Sequence, residues 1–234
     1  MMLSARNLHA YYGRAHILHG VSLDAGAGEV VALLGRNGAG KSTAMKTIMG
    51  LVPPAKGEVS FAGKRIDRLP SYRIARLGLG YVPEERRIFT GLTVMENLSV
   101  GRQPARNGAP IWSEDKLFAL FPNLGRMRAR SGGSMSGGEQ QMLTIARTLM
   151  GNPRCVMLDE PSEGLAPIIV EQMAQSILAL KSEGLSVLLS EQNLHFCQAV
   201  ADRAYIIEKG QIRFGGTMAE LAADAALREQ YLSV

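Results

Sequence analysis

The chain has 234 residues, enough for one large domain or one domain with a small inserted lobe, and too few for two full-sized domains. Apolar residues make up 46% and charged residues 20%, which excludes a disordered tail, a collagen-like repeat and a disulfide-stapled mini-protein. Twenty-six basic residues against 21 acidic ones leave a net +5 and a pI near 9.4, an excess that suits an anionic ligand or a membrane-proximal partner without requiring nucleic acid. The two cysteines, Cys155 and Cys197, each stand alone among apolar neighbours, so a reducing compartment is expected. Apolar runs such as Val30 to Leu34 reach about five residues, against the roughly 18–20 of a spanning helix. Met1 to Gly13 lacks the apolar core of a signal peptide. The expectation is a soluble intracellular protein.

The segment from His16 to Leu34 reads as short strands, and its last run, Val30 to Leu34, is uniformly apolar, as in a strand covered on both faces. A Gly-rich loop follows, then a helix from about Lys41 that stops at Gly50. Val59 and Phe61 alternate with polar residues ahead of Gly63, the pattern of a hairpin, and Leu79 to Val82 is a further strand. Thr93 and Glu96 form a capping box at the start of a short helix. Trp112 to Phe121 is expected to be helical and to end at Pro122. After Ser136, the residues Met142, Ile145, Ala146 and Leu149 fall on one helix face. Cys155 to Leu158 is a second buried strand, followed by a helix over about Ile168 to Lys181, the strand Val187 to Leu189, a short helix and a hairpin around Lys209-Gly210. Alternating strands and helices imply a largely parallel sheet with crossover helices, to which the terminal hairpins add antiparallel strands. Between Arg86 and Arg130 there are eight basic and three acidic residues. This difference of five equals the net charge of the whole chain, so the charge asymmetry lies in one helical lobe.

Gly35-Arg36-Asn37-Gly38-Ala39-Gly40-Lys41-Ser42 fits G-x-x-x-x-G-K-[ST] between a buried strand and a helix. Glycines let backbone amides converge on phosphate oxygens, and the helix start adds its positive end. Lys41 is expected at the β- and γ-phosphates, the Ser42 hydroxyl on Mg²⁺, and Thr43 on the phosphates from the first helical turn. Asp159 and Glu160 end an apolar strand at the carboxyl edge of the sheet, where ligands bind. Asp159 suits a Mg²⁺ role, and Glu160 the orientation or deprotonation of an attacking water. In the segment Ser136-Gly137-Gly138-Glu139 a capping box explains the serine and the glutamate. Two successive glycines cost helix stability unless something approaches closely, which points to a second anion site.

In order and spacing, these three motifs resemble the ATP-binding-cassette (ABC) ATPase family. The resemblance covers nearly the whole chain. It implies an α/β P-loop NTPase fold with a largely parallel central sheet, an antiparallel β subdomain and an inserted α-helical subdomain. Residues 1–84 and 152–234 would form the core and residues about 85–151 the helical insert. It also implies a head-to-tail dimer in which Ser136, Gly137, Gly138 and Glu139 of one subunit cap ATP held by the phosphate loop of the other. Tyr12 matches the aromatic that stacks on adenine. Some positions depart from the family pattern. Met135 and Glu139 replace leucine and glutamine in the signature; Glu84 stands where a glutamine senses Mg²⁺ and the membrane partner; Gln192 stands where a histidine contacts the γ-phosphate; and Ala166 replaces an aspartate. An amide can hydrogen-bond the γ-phosphate but cannot carry its proton. His195 is expected on a helix surface.

These departures, with Tyr11-Tyr12-Gly13, Val82 to Phe89, Glu163 to Pro167 and Glu191-Gln192-Asn193, resemble the LivF-type ATPases of high-affinity branched-chain amino acid importers. That likeness implies ATP and Mg²⁺ as cofactors, a second ATPase subunit (a copy or a sister), transmembrane permease subunits, and indirectly a periplasmic binding protein. The chain would sit peripherally on the cytoplasmic face of the membrane. Importers of urea or short amides have very similar ATPases. A soluble ABC-type ATPase working on nucleic acid is the alternative of a different class. Such proteins carry long coiled-coil insertions or two fused cassettes, and the basic lobe here has little of the aromatic interleaving that nucleic acid needs, so no nucleic-acid partner is expected.

Overall fold

A computed structural model describes residues 1–232. The first strands are β1 (Leu3–Tyr12), β2 (Ala15–Ala25) and β3 (Val30–Leu34), followed by helix α1 (Lys41–Ile48). Then come β4 (Lys56–Phe61), β5 (Lys64–Arg65), α2 (Ser71–Leu77) and β6 (Leu79–Val82). Four helices follow: α3 (Val94–Gly101), α4 (Glu114–Leu120), α5 (Pro122–Arg126) and α6 (Gly137–Leu149). The chain returns through β7 (Cys155–Asp159), α7 (Pro167–Ser182), β8 (Ser186–Glu191), α8 (Leu194–Val200), β9 (Arg203–Glu208) and β10 (Gln211–Thr217), and ends with α9 (Met218–Ala223) and α10 (Ala225–Leu232).

The strands form two sheets. One has six strands in the order β10-β9-β3-β8-β7-β6, parallel except for β10. The other is antiparallel, in the order β2-β1-β4-β5. Every residue of β3, β7 and β8 is buried, because both faces of the parallel sheet are covered. The two-residue strand period then sorts the apolar side chains. Val30, Ala32, Leu34, Val156, Leu158, Val187 and Leu189 join Met142, Ile145 and Leu149 of α6 and Met173, Ile177 and Leu180 of α7. Val31, Leu33, Met157 and Leu188 pack instead on Ala44, Met45 and Ile48 of α1 and on Leu3, Leu18, Val59 and Phe61 of the antiparallel sheet. Each fully buried leucine of this kind contributes about 1.5–3 kcal/mol. Helices α4 and α5 share the first of these clusters through Leu117, Phe121 and Leu124.

Some local expectations are corrected. The helix expected over Trp112 to Phe121 begins at Glu114, because the Ser113 side chain caps it by accepting from the Lys116 amide. The helix does end before Pro122, at Leu120 with Phe121 as its C-cap, and Pro122 also opens α5, where its missing N–H is not needed. Of the strands expected from His16 to Leu34, the last is β3 as expected, and the first is longer than expected, an 11-residue strand, β2, whose pairing with β1 shifts register at irregularities. Both capping boxes are present, Thr93 with Glu96 and Ser136 with Glu139. No helix among the described residues is long and apolar enough to cross a membrane.

Candidate nucleotide and hydrolysis site

The site lies where the parallel strands end. After β3 the backbone turns through Gly38 at φ 78° and Gly40 at φ 110°, conformations that disfavour any residue with a Cβ. Gly40 is the N-cap of α1, where no side chain caps the helix and no acid occupies its first turn. This positive end is therefore left for a ligand anion. Arg36, Asn37 and Gly38 form the exposed crest of the loop, Ala39 is buried beneath it, and Thr43 is buried one turn into α1.

Two polar clusters stand beside the loop. In the first, the Ser42 hydroxyl donates to Asp159 Oδ1 at 3.0 Å, Ser190 Oγ donates to the same oxygen at 2.6 Å, and the Tyr81 hydroxyl donates to Oδ2 at 2.9 Å. Burial and then the Asp159 charge push the Tyr81 phenol well above its ordinary range, so it remains a donor. In the second, the buried Lys41 ammonium meets Glu160 Oε1 at 3.1 Å and donates to the carbonyls of Gly35 (2.7 Å) and Arg36 (3.1 Å). The Gln192 amide donates to Glu160 Oε2 at 3.4 Å. Glu160 itself sits at φ 48°, a left-handed backbone unusual for a non-glycine residue. Its amide donates to Ser190 Oγ at 3.1 Å. Next to it Glu163 is exposed, and the hydrogen-bonded Glu160 carboxyl pushes it up to about 7.

At the start of α6 the Ser136 amide donates to Glu139 Oε2 at 2.7 Å, and the Glu139 amide to Ser136 Oγ at 3.4 Å. The two glycines between them are crowded by the protein itself. A Cβ on Gly137 would lie 2.5 Å from Arg86 Nη1, and one on Gly138 would lie 3.0 Å from Ile169 Cγ2. Part of the glycine requirement is thus internal packing. The Arg86 contact has no signal in the sequence, where Arg86 reads as one of many charges on the lobe.

The structure thus joins Lys41, Ser42, Asp159, Glu160 and Gln192 into one continuous set. It does not bring the other candidates into that set. Glu84 is exposed, and its electrostatic contact is with Glu163. Tyr12 is exposed at the end of β1, while Tyr11 stacks on His16 with ring centroids 4.1 Å apart. No hydrogen bond or ion pair among the described residues links Ser136–Glu139 to the phosphate loop of the same chain. His195 is exposed on α8, as expected. Ser190 and Glu191, missed in the sequence, hold the set together from the end of β8. A separate cleft of about 580 Å³ lies between α2, β6, α3 and α6, with the exposed side chains of Leu51, Tyr72, Phe89 and Val100 and the arginines Arg76, Arg106 and Arg147 on its walls.

A family profile described as "ABC transporter" matches residues 18–163. The chain is 44% identical over 231 residues, 99% of each chain, to the high-affinity branched-chain amino acid transport ATP-binding protein BraG of Pseudomonas aeruginosa. It is 37% identical over 232 residues to the lipopolysaccharide export system ATP-binding protein LptB of Escherichia coli K12, covering 98% of this chain and 96% of that one. Among solved structures, a nucleotide-free ATP-binding cassette superposes with a TM-score of 0.82 at 27% identity, and the ADP conformation of the cassette MJ1267 with 0.82 at 28%; each match covers 97% of both chains. With its phosphate loop, strand-end carboxylates and signature segment in this arrangement, the chain belongs to the ABC transporter family and is an ATP-binding, ATP-hydrolysing cassette.

Proposed function

We propose that this cassette powers the import of branched-chain amino acids through membrane permeases, working as one half of an ATPase pair. The observation that carries the substrate class is the end-to-end 44% identity to a branched-chain amino acid transport subunit, above the 37% to the lipopolysaccharide export subunit. Residues 1–84 and 152–234 act as the catalytic core, and residues 85–151 as the helical part that carries the signature. The cleft beside Tyr72 and Phe89 suits an apolar permease segment with an acidic side chain for its arginine rim. The chain would then sit on the cytoplasmic membrane face.

In this reading Gly35, Arg36, Asn37, Gly38, Ala39 and Gly40 wrap the phosphates with their amides, aided by Thr43, and Tyr12 stacks on adenine. Lys41 exchanges its contacts with Glu160 and the loop carbonyls for β- and γ-phosphate oxygens. Glu160, released from the ammonium, orients the attacking water and accepts its proton. Gln192 spans Glu160 and the γ-phosphate, donating a hydrogen bond without a proton to transfer. Ser136, Gly137, Gly138 and Glu139 cap the nucleotide of the partner subunit. The Ser42 hydroxyl and Asp159 carboxylate, 3.0 Å apart, would be the hard oxygen donors for Mg²⁺ alongside phosphate oxygens, with Glu84 as a further candidate donor. Bound there, Mg²⁺ would neutralise charge building on the β- and γ-oxygens.

The test is reconstitution with the permeases and binding protein of a branched-chain amino acid importer. Leucine-loaded binding protein is expected to raise ATP turnover several-fold, and urea-, amide- or lipopolysaccharide-dependent stimulation in its place would refute the substrate class.

A further inference from the structure

Glu191 ends β8 and is 1% exposed. No cation pairs with it among the described residues; backbone N–H groups from two loops surround it instead. Its Oε1 accepts from the Ser162 amide at 2.9 Å, in the loop that follows Glu160. Its Oε2 accepts from the amides of Gln192 at 3.2 Å and Asn193 at 3.4 Å. Its own backbone carbonyl accepts from the Gly35 amide at 3.2 Å, the first residue of the phosphate loop. One residue therefore ties together the three segments that surround the γ-phosphate position.

Burying a carboxylate without a counter-ion is expensive, and it persists only where several donors satisfy it. A neutral residue would close a strand end at lower cost, so the charge needs a role beyond packing. The two oxygens divide the work: one holds the loop after β7, the other the turn after β8. The neighbouring Ser190 holds Asp159 and the Glu160 amide from the same strand end. Gln192 donates its backbone N–H to Glu191 Oε2 at 3.2 Å and its side-chain amide to Glu160 Oε2 at 3.4 Å.

We propose that Glu191 is a positioning residue for hydrolysis. It clamps the Ser162 and Gln192–Asn193 backbones so that Gln192 aims at Glu160. This rests on Glu160 and Gln192 acting at the γ-phosphate. Glu191→Gln is the discriminating variant, since it keeps the volume but places an NH₂ against backbone N–H donors. One amide oxygen cannot serve both loops.

The experiment measures steady-state ATP turnover of the full chain for wild type, Glu191→Gln, Gln192→Ala and the double variant, with amide hydrogen exchange on each folded protein. Glu191→Gln is expected to lower kcat about tenfold or more and leave KM for ATP within about twofold, the pattern of an interaction used in the transition state. On the Gln192→Ala background the same change should cost less than about twofold, because coupled residues are non-additive. Exchange should accelerate at Ser162, Gln192 and Asn193, where a purely structural effect would spread along β8. Unchanged exchange at those amides, or an equal fall of kcat on both backgrounds, overturns the proposal. Glu160→Gln, run alongside, separates the two readings. If it is inactive while Glu191→Gln is fully active, only the positioning role fails; full activity of Glu160→Gln overturns both.

Discussion

At the scale of residues, Lys41 and Glu160 form a buried ion pair at 3.1 Å. Removing one partner strands the other charge in a dry site. Lys41→Ala is therefore expected to abolish ATP turnover and, in urea melts, to lower stability by about 3 kcal/mol; wild-type turnover would reject the phosphate-loop assignment. Glu163 supplies a pH signature. Its folded-state carboxyl is raised from 4.5 to about 7, so as pH climbs across that window the unfolded chain loses a proton that the folded chain keeps. The stabilisation is complete below the ordinary carboxylate range and disappears as pH rises through about 7. Thermal melts in Mg²⁺-free buffer should show this decline, and Glu163→Gln should flatten it. Both cysteines are buried, with Cys155 pushed up to about 12 by burial and Cys197 also pushed well up, by burial and then by Glu191. Neither should react with a thiol reagent near pH 8 until the protein is unfolded.

At the scale of elements, close packing of α3 on α6 depends on a missing side chain. A Cβ on Gly101 would lie 2.0 Å from the Arg147 carbonyl, so Gly101→Ala must push the helices apart. A loss of roughly 1–3 kcal/mol is expected in chemical denaturation, and a neutral result would mean that the contact is soft. The helix starts at Thr93 and Ser136 were legible from their local capping boxes, whereas the equally local Ser113 cap was passed over. Pro122 marked the end of α4 but hid the start of α5, because one residue signals both the end of a helix and the first turn of the next. Helix α2 gave no signal, since only Ile74 of its residues is buried. The division into a parallel and an antiparallel sheet came from the family resemblance and not from the strand pattern, because it is decided by packing between distant segments.

At the scale of the whole molecule, the parallel sheet gathers Lys41, Ser42, Asp159, Glu160 and Gln192 from three strand ends; motif spacing announced the first four, and the family resemblance announced Gln192. Ser190 and Glu191 were given no role, because they hold neighbouring polar groups and backbone and carry none of the motif chemistry. The charge surplus of the helical lobe was legible too, but its use is narrower than composition implies. Arg128 stacks on the Phe118 ring at 4.4 Å, and Arg86 packs on Gly137. Arg126, which is exposed, is the cleaner probe, and Arg126→Glu should weaken pull-down of the permeases while nucleotide affinity stays unchanged. The proposed function depends most on Glu160 being the carboxylate that prepares water for attack on the γ-phosphate. Its most direct test is phosphate release by the full-length Glu160→Gln protein, measured beside ATP binding to the same preparation. Binding within a few-fold of wild type with turnover reduced by about a hundredfold or more is the result expected of a lost general base; phosphate release near the wild-type rate would contradict the account.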